Sequence, residues 1–278
     1  EMEEFRGPDV PDVEAVKVSD RCYMIPALVH PTPDNFGMFS NPGFIVTSEG
    51  VVVVDTGSSV QIGEMVLRQI KKVTDKPVVK VFNTHFHGDH WLGNHAFVNA
   101  NPNVEIISHQ LCIDNLKAGG DKFWFDFMQS NTNNKITGTV VTLPNKTVKG
   151  GEEIKMGDTT IKVHHWGQMH TVSDIAIEVV EDKAIYTGDM VMRRVANMED
   201  GSYVGSINGL QSMIDMGLSH YIPMHGKADN VKLIEEGKEF LETIYKTVEV
   251  LYDEGLSDFE MKPIIMDKPF MKNVAAQW

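Results

Sequence analysis

The sequence predicts an α/β fold in which two β-sheets are covered by outer helices. Three observations support this prediction. In the first half of the chain, short β-branched runs alternate with helical patterns. From Gly138 to Gly188 strand follows strand, with glycine-containing turns between them. After this region, a long segment carries its apolar residues on one helical stripe, as expected of a helix that covers a sheet.

The first half contains predicted strands and helices in alternation. Strands are predicted at Gly43–Thr47, Val51–Asp55, Val78–Asn83 and Val104–Ile107, and helices at Ser59–Val73, near Asp89–Asn99 and over residues 108–131. The last helical segment contains a dense aromatic group of Phe123, Trp124, Phe125 and Phe127. Aromatic residues at helical spacing usually pack, so a role in a core or a lid is favoured over a cofactor site.

The second half begins with a predicted β-meander. Its strands are predicted at Thr139–Leu143, Glu152–Met156, Thr159–His164, Asp174–Val180 and Lys183–Thr187. A helix at Ser206–Met216, a strand at Tyr221–Met224 and a long helix at Asp229–Asp253, with Asp229 as its N-cap, follow. No repeat and no low-complexity linker divides the chain, so one domain over residues 1–278 is expected.

Composition narrows the class of function. The 278 residues are 42% hydrophobic and 23% charged, which is typical of a globular protein, and the net charge is −14. Nucleic-acid binding relies on basic residues, so nucleic acid is not expected as a partner. The apolar stretches are far shorter than the roughly 20 residues of a membrane helix, so no membrane segment is expected either. Cys22 and Cys112 are expected to be unpaired thiols. A small-molecule substrate is the expected partner.

The start of the chain bears on localisation. Glu1 is neither an initiator methionine nor part of an apolar signal region, which is compatible with a removed signal peptide or with a trimmed sequence. A periplasmic or exported location is favoured over a cytoplasmic one.

Four metal-binding residue types stand within six positions directly after a predicted strand. They are His85, His87, Asp89 and His90. In extended backbone His85 and His87 project to the same side, whereas Asp89 and His90 are adjacent and diverge. Four such residues cannot easily serve one ion, so the spacing indicates two metal ions.

A catalytic metal ion keeps one position open for water, so further ligands are expected elsewhere in the chain. His170, Asp189 and His225 all stand at predicted strand-to-loop junctions. A rigid sheet can position ligands at such junctions. These three residues are therefore candidates for the further ligands.

The cluster resembles the His-x-His-x-Asp-His signature of the metallo-β-lactamase superfamily. The segment from Val51 to Gly57 is similar to the family's hydrophobic strand that ends in Asp-Thr-Gly, and Gly188-Asp189 is similar to its metal-bridging aspartate. The resemblance implies that a first ion is held by His85, His87 and His170, a second by Asp89, His90 and His225, and that Asp189 bridges them. It also implies an αβ/βα four-layer sandwich, with two mixed sheets flanked by helices and the site at one edge.

The same resemblance implies hydrolysis. Paired divalent ions, with zinc expected and iron or manganese as alternatives, lower the pKa of a bridging water and supply hydroxide for attack on an ester, thioester, lactone or amide. Asp89 is the candidate catalytic residue that orients this hydroxide and passes its proton to the leaving group. Asp189 makes the chain similar to glyoxalase II-like and lactonase-like members rather than to true β-lactamases, so at most weak β-lactam hydrolysis is expected.

Several residues around the centre have predicted supporting roles. The resemblance implies that Asp55 supports the metal loop. The segment His30–Pro42 is interpreted as an aromatic flap or as an ordinary surface connection. Four residues are candidates for substrate binding: Arg193 and Arg194, whose guanidinium groups could grip a carboxylate, and Asn197 and Tyr203, which could polarise the substrate oxygen. The other histidines match no ligand position.

Two other catalytic functions and one non-catalytic function remain open from the sequence. Imidazole and carboxylate ligands also suit iron, which would support persulfide or oxygen chemistry. Phosphodiesterase or nuclease action is opposed by the acidic composition. A purely structural metal module is disfavoured, because seven ligands exceed the four that a closed structural zinc site needs.

Overall fold

The computed structural model describes residues 5–28, 32–192 and 197–275. Two mixed β-sheets pack face to face around a shared apolar core. Helices cover the outer face of each sheet and form a second and a third apolar cluster with it. The predicted four-layer α/β arrangement is confirmed.

The first sheet contains seven strands in chain order. They are β1 (Val16–Lys17), β2 (Cys22–Met24), β3 (Gly43–Thr47), β4 (Gly50–Val54), β5 (Val78–Phe82), β6 (Glu105–His109) and β7 (Lys146–Val148). Strands β1 to β4 pair antiparallel, and β4 to β7 pair parallel. Parallel neighbours require long crossover connections, and helical segments supply them between β4, β5, β6 and β7.

The second sheet has the order β12-β11-β10-β9-β8. Its strands are β8 (Glu153–Met156), β9 (Thr159–His164), β10 (Ala176–Val179), β11 (Ala184–Tyr186) and β12 (His220–Ile222). Strands β8 to β11 form the predicted antiparallel meander, and β12 pairs parallel with β11.

The helices divide between the two outer faces and the loops that carry the site. They are α1 (Val60–Val73), α2 (Gly88–Trp91), α3 (Asn94–Ala100), α4 (Gln110–Asn115), α5 (Asp121–Asn131), α6 (Tyr203–Asp215), α7 (Lys232–Asp253), α8 (Asp258–Met266) and α9 (Pro269–Ala275). A π-helical turn at Leu116–Gly120 joins α4 to α5. Helices α1 and α3 cover the first sheet, and α6 and α7 cover the second. Within the described ranges, no helix has the length and apolar character that crossing a bilayer requires.

Strand β4 shows how the sequence sets the layers. Val52 and Val54 pack between the two sheets, whereas Val51 and Val53 pack beneath α1. All four side chains are fully buried. Successive side chains of a strand point to opposite faces, and both faces of this strand are covered. A run of four valines without polar alternation is the result.

The prediction of a strand at Thr139–Leu143 is wrong, because the strand in this region is β7 at Lys146–Val148. Residues 139–142 form hydrogen bonds with α1 and α3 instead of with a neighbouring strand. Thr139 Oγ1 accepts a hydrogen bond from the backbone of Val60, and Asn94 Nδ2 donates to the carbonyl of Thr142. These contacts satisfy the backbone and leave Val140 exposed.

Two predicted helices have different limits in the structure. The helix near Asp89–Asn99 is two helices, α2 and α3, separated at Gly93, where an added Cβ would lie 2.1 Å from the carbonyl oxygen of Thr56. Asp229 is not an N-cap, because its backbone pairs with Tyr221 and α7 begins three residues later. In the first case a close backbone contact interrupts the helix, and in the second a backbone pairing delays the start of the helix.

Candidate metal centre

The predicted ligands meet where strands of both sheets end. His85 and His87 follow β5, and Asp89 and His90 lie in the short helix α2 after them. His170 lies in the loop between β9 and β10. Asp189 follows β11 and His225 follows β12, and these strands are parallel, so both residues emerge at the same edge. The fold therefore brings together residues that are up to 140 positions apart in the chain.

The ligand atoms form three overlapping groups. The members of each group lie within 4.8 Å of one another, and the groups are His85, His87 and His170; His85, His90 and Asp189; and Asp89, His90 and His225. The first and third groups have the composition that the family resemblance implies for the two ions. The second group connects them through Asp189.

The carboxylate of Asp189 lies at the centre of the cluster. Its Oδ2 atom is 3.0 Å from His225 Nε2 and 3.3 Å from His90 Nε2. The same atom is 3.6 Å from His170 Nε2 and 3.8 Å from His85 Nε2. One carboxylate oxygen thus faces rings from both predicted ion sites, which is the placement that a bridging ligand needs.

Asp89 lies to one side of this centre. Its Oδ2 atom is 3.2 Å from His90 Nε2 and 3.4 Å from His225 Nε2. Although burial opposes it, the nearby rings of His90 and His225 hold the pKa of Asp89 well below its usual range. Asp89 is therefore present as a carboxylate.

Four of the imidazole rings are oriented by contacts at Nδ1. The partners are Thr84 Oγ1 for His85 at 3.0 Å, Asp55 Oδ2 for His90 at 2.8 Å, the carbonyl of Asn197 for His170 at 3.0 Å and the carbonyl of Phe39 for His225 at 2.9 Å. Each partner is an oxygen that can accept a hydrogen bond. The proton therefore sits on Nδ1, and the Nε2 lone pair faces the centre of the cluster.

His87 is oriented in the opposite sense. Its Nε2 atom donates to Asp200 Oδ2 at 3.0 Å, and its Nδ1 atom lies 3.1 Å from His170 Nε2. Nδ1 is therefore the atom that His87 offers to a metal. Asp200 was not predicted from the sequence. An acidic residue in a polar loop carries no local pattern, and 113 positions separate it from His87.

Asp55 supports the metal-ligand segment from the end of β4. Its carboxylate accepts hydrogen bonds from the backbone and the hydroxyl of Thr84, both at 2.8 Å, as well as from His90. Asp55 has a φ of 59°, in the left-handed region that non-glycine residues rarely adopt. Burial raises its pKa, while the charge of His90 and the bonds of Thr84 oppose this. These contacts hold both Thr84 and His90 in place.

Unpartnered atoms test whether the cluster fits metal ions. Among the predicted ligands, four buried atoms make no hydrogen bond: Nε2 of His85, His90 and His225, and Oδ1 of Asp189. A buried polar atom without a partner costs about 1–3 kcal/mol. A cation bound to these atoms would remove that cost, and imidazole with carboxylate suits zinc, iron and manganese. The residues therefore fit divalent metal ions.

The electrostatics of the rings agree with this fit. Burial lowers the pKa of His85 well below its usual value and lowers the pKa of His170 to about 4. Although burial opposes it, the carboxylate of Asp189 raises the pKa of His225 to about 9. A histidine must be deprotonated to bind a metal. Protons and divalent cations therefore compete for the atoms around Asp189.

A cavity of about 310 Å³ opens beside the cluster. Its lining residues are Thr32, Phe39, His87, Asp89, Trp124, Phe127, Met128, Asn131, His170, Asp189, Asn197 and His225. Phe39 comes from the segment interpreted as an aromatic flap or as a surface connection, of which residues 30 and 31 lie outside the described ranges. Helix α5 contributes Trp124 and Phe127, so part of its aromatic group lines the cavity and does not only pack in the core.

The predicted substrate-binding residues have different places. Asn197 lines the cavity, with its carbonyl bonded to His170 and its side chain accepting from the backbone of Glu199. Tyr203 does not line it, because its ring packs against Tyr245 and the cluster beneath α6 and α7. Arg193 and Arg194 lie outside the described residues.

Other histidines have contacts away from the cluster. His95 Nδ1 accepts the backbone N–H of Val140, and His164 Nε2 lies 2.6 Å from Glu178 Oε2. His109 and His165 stack on each other with ring centroids 4.2 Å apart. These contacts are compatible with the structural roles expected for them.

Comparisons with known proteins relate the whole arrangement to one family. The family model described as the metallo-beta-lactamase superfamily matches residues 36–230. The chain is 38% identical over 80 residues to a linear primary-alkylsulfatase from a Pseudomonas species, a match that covers 27% of this chain and 15% of that protein. It is 22% identical over 193 residues to a type 2 metallo-beta-lactamase from Elizabethkingia meningoseptica, covering 66% of this chain and 65% of that protein.

The fold is also similar to a solved structure of a metallo-beta-lactamase from Pontibacter korlensis. The TM-score is 0.67 at 18% identity, over 83% of this chain and 99% of the other. Identity this low shows similarity of fold alone. The two sequence relatives are matched over less than two thirds of their own lengths.

Proposed function

Because the chain belongs to the metallo-β-lactamase superfamily, we propose that it is an enzyme, a hydrolase with two divalent metal ions, zinc in the first instance. Its proposed substrates are small esters, thioesters, lactones or amides. The observation that carries this proposal is the position of Asp189 Oδ2, within 3.0–3.8 Å of four imidazole nitrogens from both predicted ion sites.

The seven predicted ligands form groups that would suit two ions. His85, His87 and His170 would hold the first, Asp89, His90 and His225 would hold the second, and Asp189 would bind both. Two ions bound in this way would supply Lewis-acid activation of a water molecule and of the substrate's carbonyl oxygen. Fixing the rings through Nδ1 of His90 and Nε2 of His87 keeps the ligand atoms directed inward before any ion binds.

Asp89 is proposed to handle the proton. It lines the cavity, and a carboxylate oxygen not bound to an ion would accept a proton from water in the cavity and release it to the leaving group. Its position is fixed in part by Ser40, whose hydroxyl donates to the carbonyl of Asp89 at 2.5 Å. The role requires no large movement of the backbone.

The number of bound metal ions and the effect of replacing a predicted ligand test the proposal together. The purified protein is expected to contain two ions per chain, and the variant Asp189→Asn is expected to retain about one ion and to lose at least about 10- to 100-fold in kcat/KM. Asp215→Asn removes the same charge at the exposed end of α6 and is expected to behave as the wild type. Elemental analysis and initial rates provide the measurements.

The substrate panel should include a thioester, a lactone, a β-lactam and a primary alkyl sulfate, the last two because the relatives are named for such substrates. Hydrolysis that survives complete removal of metal would contradict the proposal. Stoichiometric iron with oxygen consumption and no hydrolysis would favour the iron-dependent alternative instead.

A further inference from the structure

Helix α5 leaves an aromatic surface uncovered beside the metal centre. Phe123 is 59% exposed and Phe127 is 44% exposed, although both are large apolar side chains. Exposed aromatic groups that adjoin a cavity commonly mark a binding surface. We call Phe123, Trp124 and Phe127 the aromatic track.

The aromatic track is continuous with a predicted metal ligand. The ring of Trp124 lies 4.7 Å from that of His87 and 5.6 Å from that of Phe127. Phe127 in turn stacks on Phe123 at 6.1 Å, with 20° between the ring planes. Phe123 also lies 5.2 Å from Trp124, so the three rings form one apolar surface that begins beside His87 and reaches solvent at Phe123 and Phe127.

The anchoring of α5 explains why the track stays open. On the inner side of the helix, Met128 packs with Leu116 and Trp91 in a buried cluster. The π-helical turn before α5 includes Gly119 at a φ of 111°, a conformation that glycine adopts easily, and this bends the chain between α4 and α5. Trp124 also abuts the ligand segment, since a Cβ at Gly88 would lie 3.0 Å from its Cβ.

The charges around the cavity disfavour a second anionic group on the substrate. Among the described residues that line it, none is lysine or arginine, and Asp89 and Asp189 belong to the proposed ligand set, where bound ions would balance their charge. The net charge of the chain is −14, which adds a repulsive field for anions. An uncharged apolar group has no such cost and gains from burial on aromatic rings.

From this arrangement we propose that the substrate carries an uncharged acyl or alkyl chain that lies along the aromatic track, with its scissile bond at the metal centre. This inference rests on the proposed function, because the track begins at His87. Trp124 contacts His87, whereas Phe123 and Phe127 extend the surface to solvent, so a longer chain is expected to gain more contact with it.

The acyl-length dependence of hydrolysis tests the proposal. S-methyl thioesters of acetic, butanoic and octanoic acids share a small leaving group, and the released thiol is measured with a thiol reagent. Each buried methylene contributes up to about fourfold in binding. The octanoyl ester is therefore expected to exceed the butanoyl ester in kcat/KM by at least about tenfold, because part of the chain stays wet.

Variants on the exposed face of α5 connect this preference to the track. Phe127→Ala and Phe123→Ala are each expected to reduce the octanoyl-to-butanoyl ratio by about fivefold to tenfold, the effect of losing part of a buried phenyl contact. Both side chains are largely exposed, so the fold should tolerate the change. Phe259→Ala removes the same ring from an 86% exposed position on α8 and is expected to keep the wild-type ratio.

A binding measurement separates this inference from the proposed function. Acetohydroxamate and octanohydroxamate are titrated calorimetrically into the metal-loaded protein. An octanoyl-to-butanoyl ratio near one, or a ratio unchanged in Phe127→Ala, would overturn the inference and leave the hydrolase intact. If neither the thioesters nor any other member of the substrate panel is hydrolysed, the hydrolase proposal fails. Even then, octanohydroxamate binding that is tighter than acetohydroxamate binding in the wild type, but not in Phe127→Ala, would support the inference. Equal affinity of the wild type for the two hydroxamates would refute it.

Discussion

The contact between His87 and Asp200 yields a prediction that separates orientation from charge. Asp200 Oδ2 accepts from His87 Nε2 at 3.0 Å, and this bond fixes the tautomer that leaves Nδ1 free to bind a metal. Replacement of Asp200 by alanine removes the acceptor. The His87 ring can then rotate, or place its proton on Nδ1, and both changes weaken the first ion site.

The exposure of Asp200 sets the size of the effect. Loss of such a supporting partner typically costs 10- to 100-fold in metal affinity or activity. The Asp200 side chain is 46% exposed, and solvent screening weakens exposed ionic contacts. We therefore expect the lower end, about a tenfold loss of affinity for the first ion.

Competition with a chromophoric zinc chelator measures this affinity. Glu199→Gln removes one negative charge from the neighbouring position and controls for the general electrostatic effect. A result in which Asp200→Ala binds zinc as tightly as the wild type, or in which Glu199→Gln shows the same loss, would refute the orienting role of Asp200.

Two other predictions concern buried carboxylates. Asp55→Asn keeps a residue that tolerates the left-handed backbone but removes the negative charge beside the ligand segment. Zinc affinity, measured by competition with a chelator, should fall about 10-fold or more. Wild-type zinc affinity in this variant would count against a supporting role for Asp55. Asp182 is bonded to Arg21 at 2.6 Å, and although burial opposes it, hydrogen bonds from Ser19 and Arg21 lower its pKa. Its stabilisation is therefore present above the unfolded pKa of about 3.9 and is lost as pH falls through the lower folded value. In urea unfolding, the advantage of wild type over Asp182→Asn should shrink below about pH 4, and a pH-independent gap would contradict this.

Part of the metal centre could be predicted because its signal is local. His85, His87, Asp89 and His90 stand within six positions, and the end of β5 places them near one another whatever the rest of the chain does. His170, Asp189 and His225 were predicted from strand ends together with family resemblance. The structure brings their ligand atoms to the same point, while their roles as ligands stay a prediction.

Other features of the structure could not be predicted from the local sequence. The strand predicted at Thr139–Leu143 has strong β-propensity, yet hydrogen bonds from Asn94 and Val60 hold that segment outside the sheet. Propensity describes one segment alone, whereas pairing depends on which neighbour offers a free edge. The placement of Tyr203 against Tyr245 is of the same kind, because helix packing and not sequence position decides it.

The sequence by itself determined the alternation of strands and helices over most of the chain from Gly43 to Asp253, and the local ligand cluster. These follow from side-chain periodicity and from spacings of a few residues, which act within one element. Only the tertiary structure decided that Asp200 orients His87 across 113 positions and that α5 turns Trp124 and Phe127 toward the cavity. Such contacts depend on how whole elements pack, and no short spacing in the sequence encodes that packing.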